Sequence, residues 1–310
     1  SLNLNSVLTN HLGEFAALLT AMFWTVTALA FESASRRIGS MAVNLLRLVI
    51  GFSFLTLFTW AYRGVILPVD ASPHAWLYLT LSGLIGFVFG DLCLFQAFVV
   101  IGARVSMLLM ALAPPMTAFI SWIVLGETLS PMSWLGMILT ITGIGIVVLK
   151  RQEPGTEGNG FGRVKFNYPL WGILLGLGGA LGQAGGLVLS KVGIQGYDTF
   201  AATQIRVIAG ITGFSAMFFI MRHWKDTFRA ITNRKAMMQL TLGAFFGPFL
   251  GVSFSLISIK YADTGIAATI MALVPVLIIP PSMLIYKEKV TLKEAAGALI
   301  AVTGVALFFL

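Results

Sequence analysis

The sequence predicts an all-α integral membrane protein, with ten transmembrane helices in two inverted five-helix repeats. Three observations carry this reading. Only 10% of the 310 residues are charged, where a soluble domain carries about 25%. The apolar residues gather into ten runs near the length of a membrane span. The second half of the chain repeats motifs of the first at a constant shift. The first observation already excludes soluble enzymes and nucleic-acid-binding domains, because so few charges cannot cover a water-facing surface; the mean hydropathy is +0.91. A net charge of +8 would suit a nucleic-acid partner if it formed a patch. It lies instead in the breaks between apolar runs, so no nucleic-acid partner is expected.

A helix needs about 20 mainly apolar residues to cross the hydrocarbon core. Runs of that kind fall near 15–32, 41–62, 75–101, 104–125 and 132–149, then near 170–190, 199–221, 237–259, 264–286 and 293–310. They are continuous rather than alternating, which argues against barrel strands. Their breaks carry turn residues: Arg36-Arg37-Ile38-Gly39, Pro68 to Pro73, Gly102-Ala103-Arg104, Gly126-Glu127 and Gly196-Tyr197-Asp198. The longest polar stretch, Arg151 to Lys165, is rich in Gly and charge and reads as a flexible linker. Residues 1–150 therefore form the first five-helix repeat, 151–169 the linker and 170–310 the second repeat.

The repeat is internal and in register. Gly86-xxx-Gly90 matches Gly247-xxx-Gly251, Ala113-Pro114 matches Val274-Pro275, Glu127 matches Glu288, Gly136 matches Gly297 and Gly143 matches Gly304, all at a shift of 161. Near the front of each half, Arg47 matches Arg206 at a shift of 159. Five spans per half make the second half enter from the opposite side, the architecture of many secondary transporters. The basic residues agree: 15 lie in the odd-numbered loops, 3 in the even ones, and Arg47 and Arg206 inside spans. By the positive-inside rule the odd loops are cytoplasmic and both termini face outward.

Phe23-Trp24 in the first run, Asn44-Leu-Leu-Arg47 in the second, the Gly-xxx-Gly of the third, Ala113-Pro114 with Leu125-Gly126-Glu127-Thr128-Leu129 around the fourth, and Gly136 and Gly143 in the fifth form a recognisable set. The second half echoes it in Val274-Pro275, Tyr286-Lys287-Glu288-Lys289-Val290, Gly297 and Gly304. Over nearly its whole length the chain resembles the ten-helix drug/metabolite transporter superfamily, EamA type. The resemblance implies a basket of ten helices around a central substrate cavity that opens alternately to the two sides. It also implies that the first, third and fourth helices of each half line the cavity and that the fifth and tenth stay peripheral. Two features depart from the pattern. Many members are drawn with cytoplasmic termini, and Gln183 stands where the first half has Trp24.

Ionisable groups inside a span are costly and face protein or water rather than lipid. Asp91 is the one carboxylate well inside a run. Two roles are open to it: binding a substrate ammonium or a coupled proton, or pairing with Arg47 as scaffold. Arg47 and Arg206 recur in both halves and read as structural charges. Small multidrug proteins of the same superfamily carry an acid in the middle of their first helix; here that stretch is Trp24-Thr-Val-Thr27-Ala, without one. Trp24, Thr27, Asp91, Phe95, Gln183 and Phe246 are the candidate cavity residues, and the matched Pro114 and Pro275 the candidate hinges. With one cysteine, Cys93, three histidines near run ends and no nucleotide-binding glycine loop, no metal, cofactor or enzymatic activity is expected. The expected partners are a small-molecule substrate, the lipid bilayer and a coupled proton. The expectation is a multi-pass secondary transporter of the cytoplasmic membrane that moves a small organic metabolite, an amino acid or a similar solute. A drug exporter of the same fold is the alternative.

Overall fold

The computed structural model describes residues 4–150, 169–287 and 289–310, and no strand occurs among them. The linker expected at 151–169 falls outside these residues except for Pro169, and so does Glu288. Inside hydrocarbon no water satisfies the backbone, so apolar runs of this length close their hydrogen bonds within helices. After a short α1 (Leu4–Asn10), the first two spans are α2 (Leu12–Ile38) and α3 (Ser40–Arg63), separated at Gly39, whose φ of 84° turns the chain. The third span is α4 (Pro73–Gly83), a π-helical segment Leu84–Gly90 and the first part of α5 (Asp91–Met110); α6 (Ala113–Leu125) completes the fourth, and α7 (Pro131–Lys150) is the fifth.

The second half begins with α8 (Leu170–Ile194) and α9 (Thr199–Met221), followed by a short α10 (Trp224–Ile231) in the loop. The eighth span is α11 (Arg234–Ala244), a second π segment Phe245–Gly251 and α12 (Val252–Tyr261). The ninth is broken into α13 (Thr264–Met271), α14 (Val274–Leu277) and α15 (Ile279–Tyr286), and α16 (Leu292–Ala306) is the tenth. Side-chain caps fix the ends: Ser72, Asp198 and Asn233 accept from the N–H groups of Ala75, Ala201 and Ala236, and Thr291 with Glu294 forms a capping box. Among the described residues, nine helices are long and apolar enough to cross a membrane, and the shorter apolar Ala113–Leu125 stands beside them.

α6 is short because α5 does not end at the expected break at Gly102-Ala103-Arg104. Helical hydrogen bonding continues to Met110. The chain nevertheless reverses. A Cβ built on Gly179 would lie 3.3 Å from the Cβ of Leu94 and 3.4 Å from the Sδ of Met110. A straight helix would hold those two residues about 24 Å apart. Ile101 meanwhile lies against Gly172, near the start of α8. The segment therefore descends α8 to Ile101 and returns along it to Met110, which gives ten passes.

The inversion read from motif spacing is visible as geometry. Where α7 packs on α16, a Cβ at Gly136 would meet the carbonyl of Gly304 at 2.8 Å, and one at Gly143 would meet the carbonyl of Gly297 at 2.4 Å. Gly136 and Gly297 are repeat partners, as are Gly143 and Gly304. The contact is therefore its own image under a two-fold rotation. Thr140 Oγ1, which donates to Gly136 O (2.7 Å), lies 3.4 Å from the carbonyl of Ala301, its own repeat partner. The pseudo-axis passes there, across two antiparallel helices, as an axis in the membrane plane requires.

A second pair of contacts, between equivalent positions but with donor and acceptor interchanged, surrounds the centre. Thr27 Oγ1 donates to Gly243 O (3.2 Å), and Ser82 Oγ donates to Gly186 O (2.6 Å). Thr27 and Gly186 are repeat partners, as are Ser82 and Gly243. Here the Gly-xxx-Gly motifs find their purpose: Gly247 and Gly251 receive Thr27 and Trp24 of α2, while Gly90 packs against Gly182 of α8, where a Cβ on Gly182 would come within 2.6 Å of the Gly90 Cα. A β-carbon on Gly182 would push the third and sixth spans apart.

Candidate functional site

Between the halves lies a cavity of about 340 Å³, within the size range of small-molecule sites. The first, third, fourth, sixth, eighth and ninth spans supply most of its wall. Among the described residues, the second, fifth and seventh contribute one each, Arg47, Ile144 and Arg206, and the tenth contributes none. Both π segments reach it, through Gly86 and Phe87 in one half and Gly247 and Pro248 in the other. They occupy equivalent positions, 84–90 and 245–251. The wider π turn also houses Pro248, which has no N–H to give a tighter helix.

Four of the six candidate cavity residues line this space: Trp24, Thr27, Asp91 and Gln183. Trp24 is half-buried, its indole stacked over Gly251. Thr27 spends its hydroxyl proton on carbonyls of Phe23 and Gly243 and so ties the first span to the eighth. Gln183 projects from the glycine-rich sixth span. Phe246 is not brought to the cavity: its ring packs on Phe23 (5.7 Å between centroids) and Phe245 (5.1 Å). The side chain of Phe95 lies outside the described residues. Pro114 and Pro275 both line the cavity. Each sits in the first turn of a helix that restarts after a two-residue break, at Ala111-Leu112 and at Ala272-Leu273.

The charges are the least symmetrical part of the wall. Asp91 opens α5 immediately after the π segment, and its carboxylate forms an ion pair with the Arg47 guanidinium from the second span. Arg47 also lies 5.8 Å from the ring centre of Phe31. Arg206 is buried to 6% exposure. It rests 4.9 Å over the ring of Phe87, and its Nε has no hydrogen-bond partner.

A second polar cluster sits at the even-loop end of the same bundle. The Glu127 carboxylate accepts from the backbone N–H of Thr264 (2.8 Å) and from the Thr264 hydroxyl (3.2 Å), and it pairs with Lys191 Nζ. Lys191 in turn donates to the carbonyl of Ala262 (2.9 Å). Glu127 thus caps α13 from the opposite repeat. The residue in the N-cap position, Asp263, makes no side-chain cap bond. Burial, and then the Glu127 charge, pushes the Asp263 carboxyl above the usual carboxylate range, opposed by Lys191. Sequence reading saw Glu127 as part of a motif but not as a cap. The available signal was a Gly-Glu pair directly after a span, with Asp263-Thr264 opening another. On the same face, the Tyr197 hydroxyl donates to Asp70 (2.8 Å). Burial and that bond push the tyrosine up to about 12, and the bond holds Asp70 below its ordinary range.

Two copies of one family model, described as "EamA-like transporter family", match residues 11–149 and 170–310. The chain belongs to the EamA-like transporter family. It is thus a multi-pass membrane protein of two tandem EamA repeats, and the cavity lies between them. Among relatives, the chain is 27% identical over 197 residues to an uncharacterized transporter, YvbV, of Bacillus subtilis, covering 63% of this chain and 59% of that one. It is 24% identical over 187 residues to an uncharacterized membrane protein, YMR253C, of Saccharomyces cerevisiae, covering 58% of this chain and 45% of that one. Both matches span less than two thirds of the relative's length. A solved crystal structure superposes on this EamA-like chain with a TM-score of 0.73 over 96% of each, at 16% identity, a likeness of fold alone.

Proposed function

We propose that this protein is a secondary transporter of the cytoplasmic membrane that moves a small organic metabolite, an amino acid or a similar solute, by alternating access. One observation supports this above the others: a cavity between two inverted repeats, walled by equivalent helices of both and holding charge at its centre. In this reading the solute meets Trp24, Thr27 and Gln183, and Asp91 exchanges a coupled proton. The breaks before Pro114 and Pro275 bend as one half rocks on the other. The Glu127–Lys191–Thr264 cluster closes the even-loop side. A gradient rather than a bound cofactor or a chemical reaction drives the cycle.

The test is counterflow in proteoliposomes. Vesicles preloaded with an unlabelled amino acid should accumulate the labelled form transiently, because a carrier returns loaded. Equal entry with and without preloading would identify a pore and reject the carrier. The same preparation places the site: cysteine at position 183 in a Cys93→Ala background should react with a water-soluble thiol reagent, and the counterflow solute should slow that reaction. An inert thiol under every condition would remove Gln183 from the site.

Orientation belongs to the same proposal. The 15 to 3 bias of basic residues supports odd loops in the cytoplasm and both termini outside. A fluorescent reporter that matures only in the cytoplasm should stay dark when fused after Leu310. Bright fusions would invert the assignment.

A further inference from the structure

The charged groups on the cavity wall do not balance. Arg47 and Arg206 both line it, and Asp91 is the one carboxylate among its lining residues. That carboxylate is taken by Arg47. Arg206 makes no direct ion pair or hydrogen bond among the described residues; its guanidinium lies over the face of Phe87, and it feels the Asp91 charge across the cavity without contacting it. The cause is a single difference between the repeats. Arg206 is the counterpart of Arg47, but the position equivalent to Asp91 is Val252, which also faces the cavity. The second half keeps the cation and lacks its anion.

A guanidinium buried at membrane depth is costly without a counter-charge. The environment of Arg206 holds it in place rather than releasing it to an interface. Its Nη2 lies 3.2 Å from where a Cβ on Gly86 would be, so the absence of a side chain at Gly86 makes room for the fork inside the π segment. The helix around it, Ala201 to Val207, is buried without interruption, which blocks any route to lipid or loop. The fork can still present paired N–H donors to the cavity, where they match one carboxylate in two parallel bonds. Trp24, Leu94 and Met271 supply apolar wall for the remainder of such a molecule.

We propose that Arg206 anchors a single carboxylate on the transported solute, so that the substrate class is organic monocarboxylates, amino acids included. The assignment rests on the carrier reading above and narrows it. One carboxylate neutralises the unmatched arginine, whereas a cationic or neutral solute leaves it bare. Gln183, whose amide carries two N–H donors, faces the same cavity and provides a second, uncharged contact.

The test compares acids with their amides on the unaltered full chain in lipid nanodiscs: phenylalanine with phenylalaninamide, leucine with leucinamide, 3-phenylpropanoate with 3-phenylpropanamide, and chloride as the inorganic control. Thermal unfolding should rise with one or more of the acids and with none of their amides, since a ligand that binds only the native state stabilises it. In Arg206→Gln the affinity for the responding acid should fall about tenfold or more, the effect of losing a charge-assisted bond; Arg206→Lys should retain part of it. Amides or chloride stabilising as well as the acids would overturn the proposal. So would a panel in which no acid responds, or an Arg206→Gln variant that binds the acid unchanged. Because the acid–amide comparison is made on the unaltered chain, it does not depend on any variant folding. Counterflow separates this idea from its premise. Counterflow of a cationic or neutral solute keeps the carrier and removes the anchor, whereas acid-selective binding without counterflow keeps the anchor and removes the carrier.

Discussion

Asp91→Asn should unfold at lower temperature than the parent and should lose transport, and a second substitution should separate those two effects. Removing one partner of a buried ion pair costs about 3–5 kcal/mol, because the other charge is left behind. Here the side chains of Arg47 and Asp91 are 17% and 23% exposed, so the lower end of that range is expected. The variant leaves two arginines on the cavity wall with no carboxylate. Replacing the pair together, as Arg47→Met with Asp91→Leu, removes both desolvated charges and should return the unfolding temperature close to that of the parent. Transport should not return if Asp91 carries the coupled proton, and any residual flux in Asp91→Asn should no longer vary with pH. Thermal unfolding of purified protein and uptake into proteoliposomes at several pH values check both points. Restored transport in the double variant would make the pair scaffold and remove Asp91 from the transport cycle.

Glu127 should be the most sensitive position outside the cavity. Its carboxylate does two jobs at once, pairing with Lys191 and capping the N-terminus of α13 through Thr264. Glu127→Ala ends both and should lower stability by about 2–3 kcal/mol. Glu127→Gln keeps an amide oxygen for the Thr264 N–H and should cost distinctly less. A reversed order in the unfolding temperatures of Ala and Gln would show that the cap is not what the residue supplies. If the cluster closes the even-loop side, Glu127→Ala should also expose a cysteine at position 183 more readily to reagent added from that side. Unchanged labelling would leave the cluster as a brace and no more.

The spans and the repeat were legible because each rests on local chemistry. Apolar runs bounded by Gly, Pro and charge need no tertiary knowledge, and Gly136/Gly297 or Pro114/Pro275 can be matched by counting. The Arg47–Asp91 pair was also open to sequence reasoning, as one of two roles for the only carboxylate well inside a run. Other features depend on contacts remote in sequence. The π segments at 84–90 and 245–251 are not marked by a shared composition, and they lie where the sixth and first spans pack on them. The capping of Thr264 by Glu127 joins residues 137 apart. Phe246 was proposed for the cavity on its aromatic character and turns instead toward Phe23 and Phe245, because neighbouring helical positions face different directions. The unmatched state of Arg206 follows from Val252, a residue that looks ordinary until its counterpart is known.

The two-fold pairs have a thermodynamic consequence for a rocking carrier. When the halves exchange roles, the contact of Gly136 with Gly304 and that of Gly143 with Gly297 exchange with them. Interactions that map onto each other appear on both sides of the equilibrium and drop out of the free-energy difference between its end states. The bias of the resting population is therefore carried by positions where the repeats disagree: Asp91 against Val252, Trp24 against Gln183, and Lys191 against Glu32. A ligand moves that population only by its unequal affinity for the two states, and the same few mismatched side chains are where such inequality can reside.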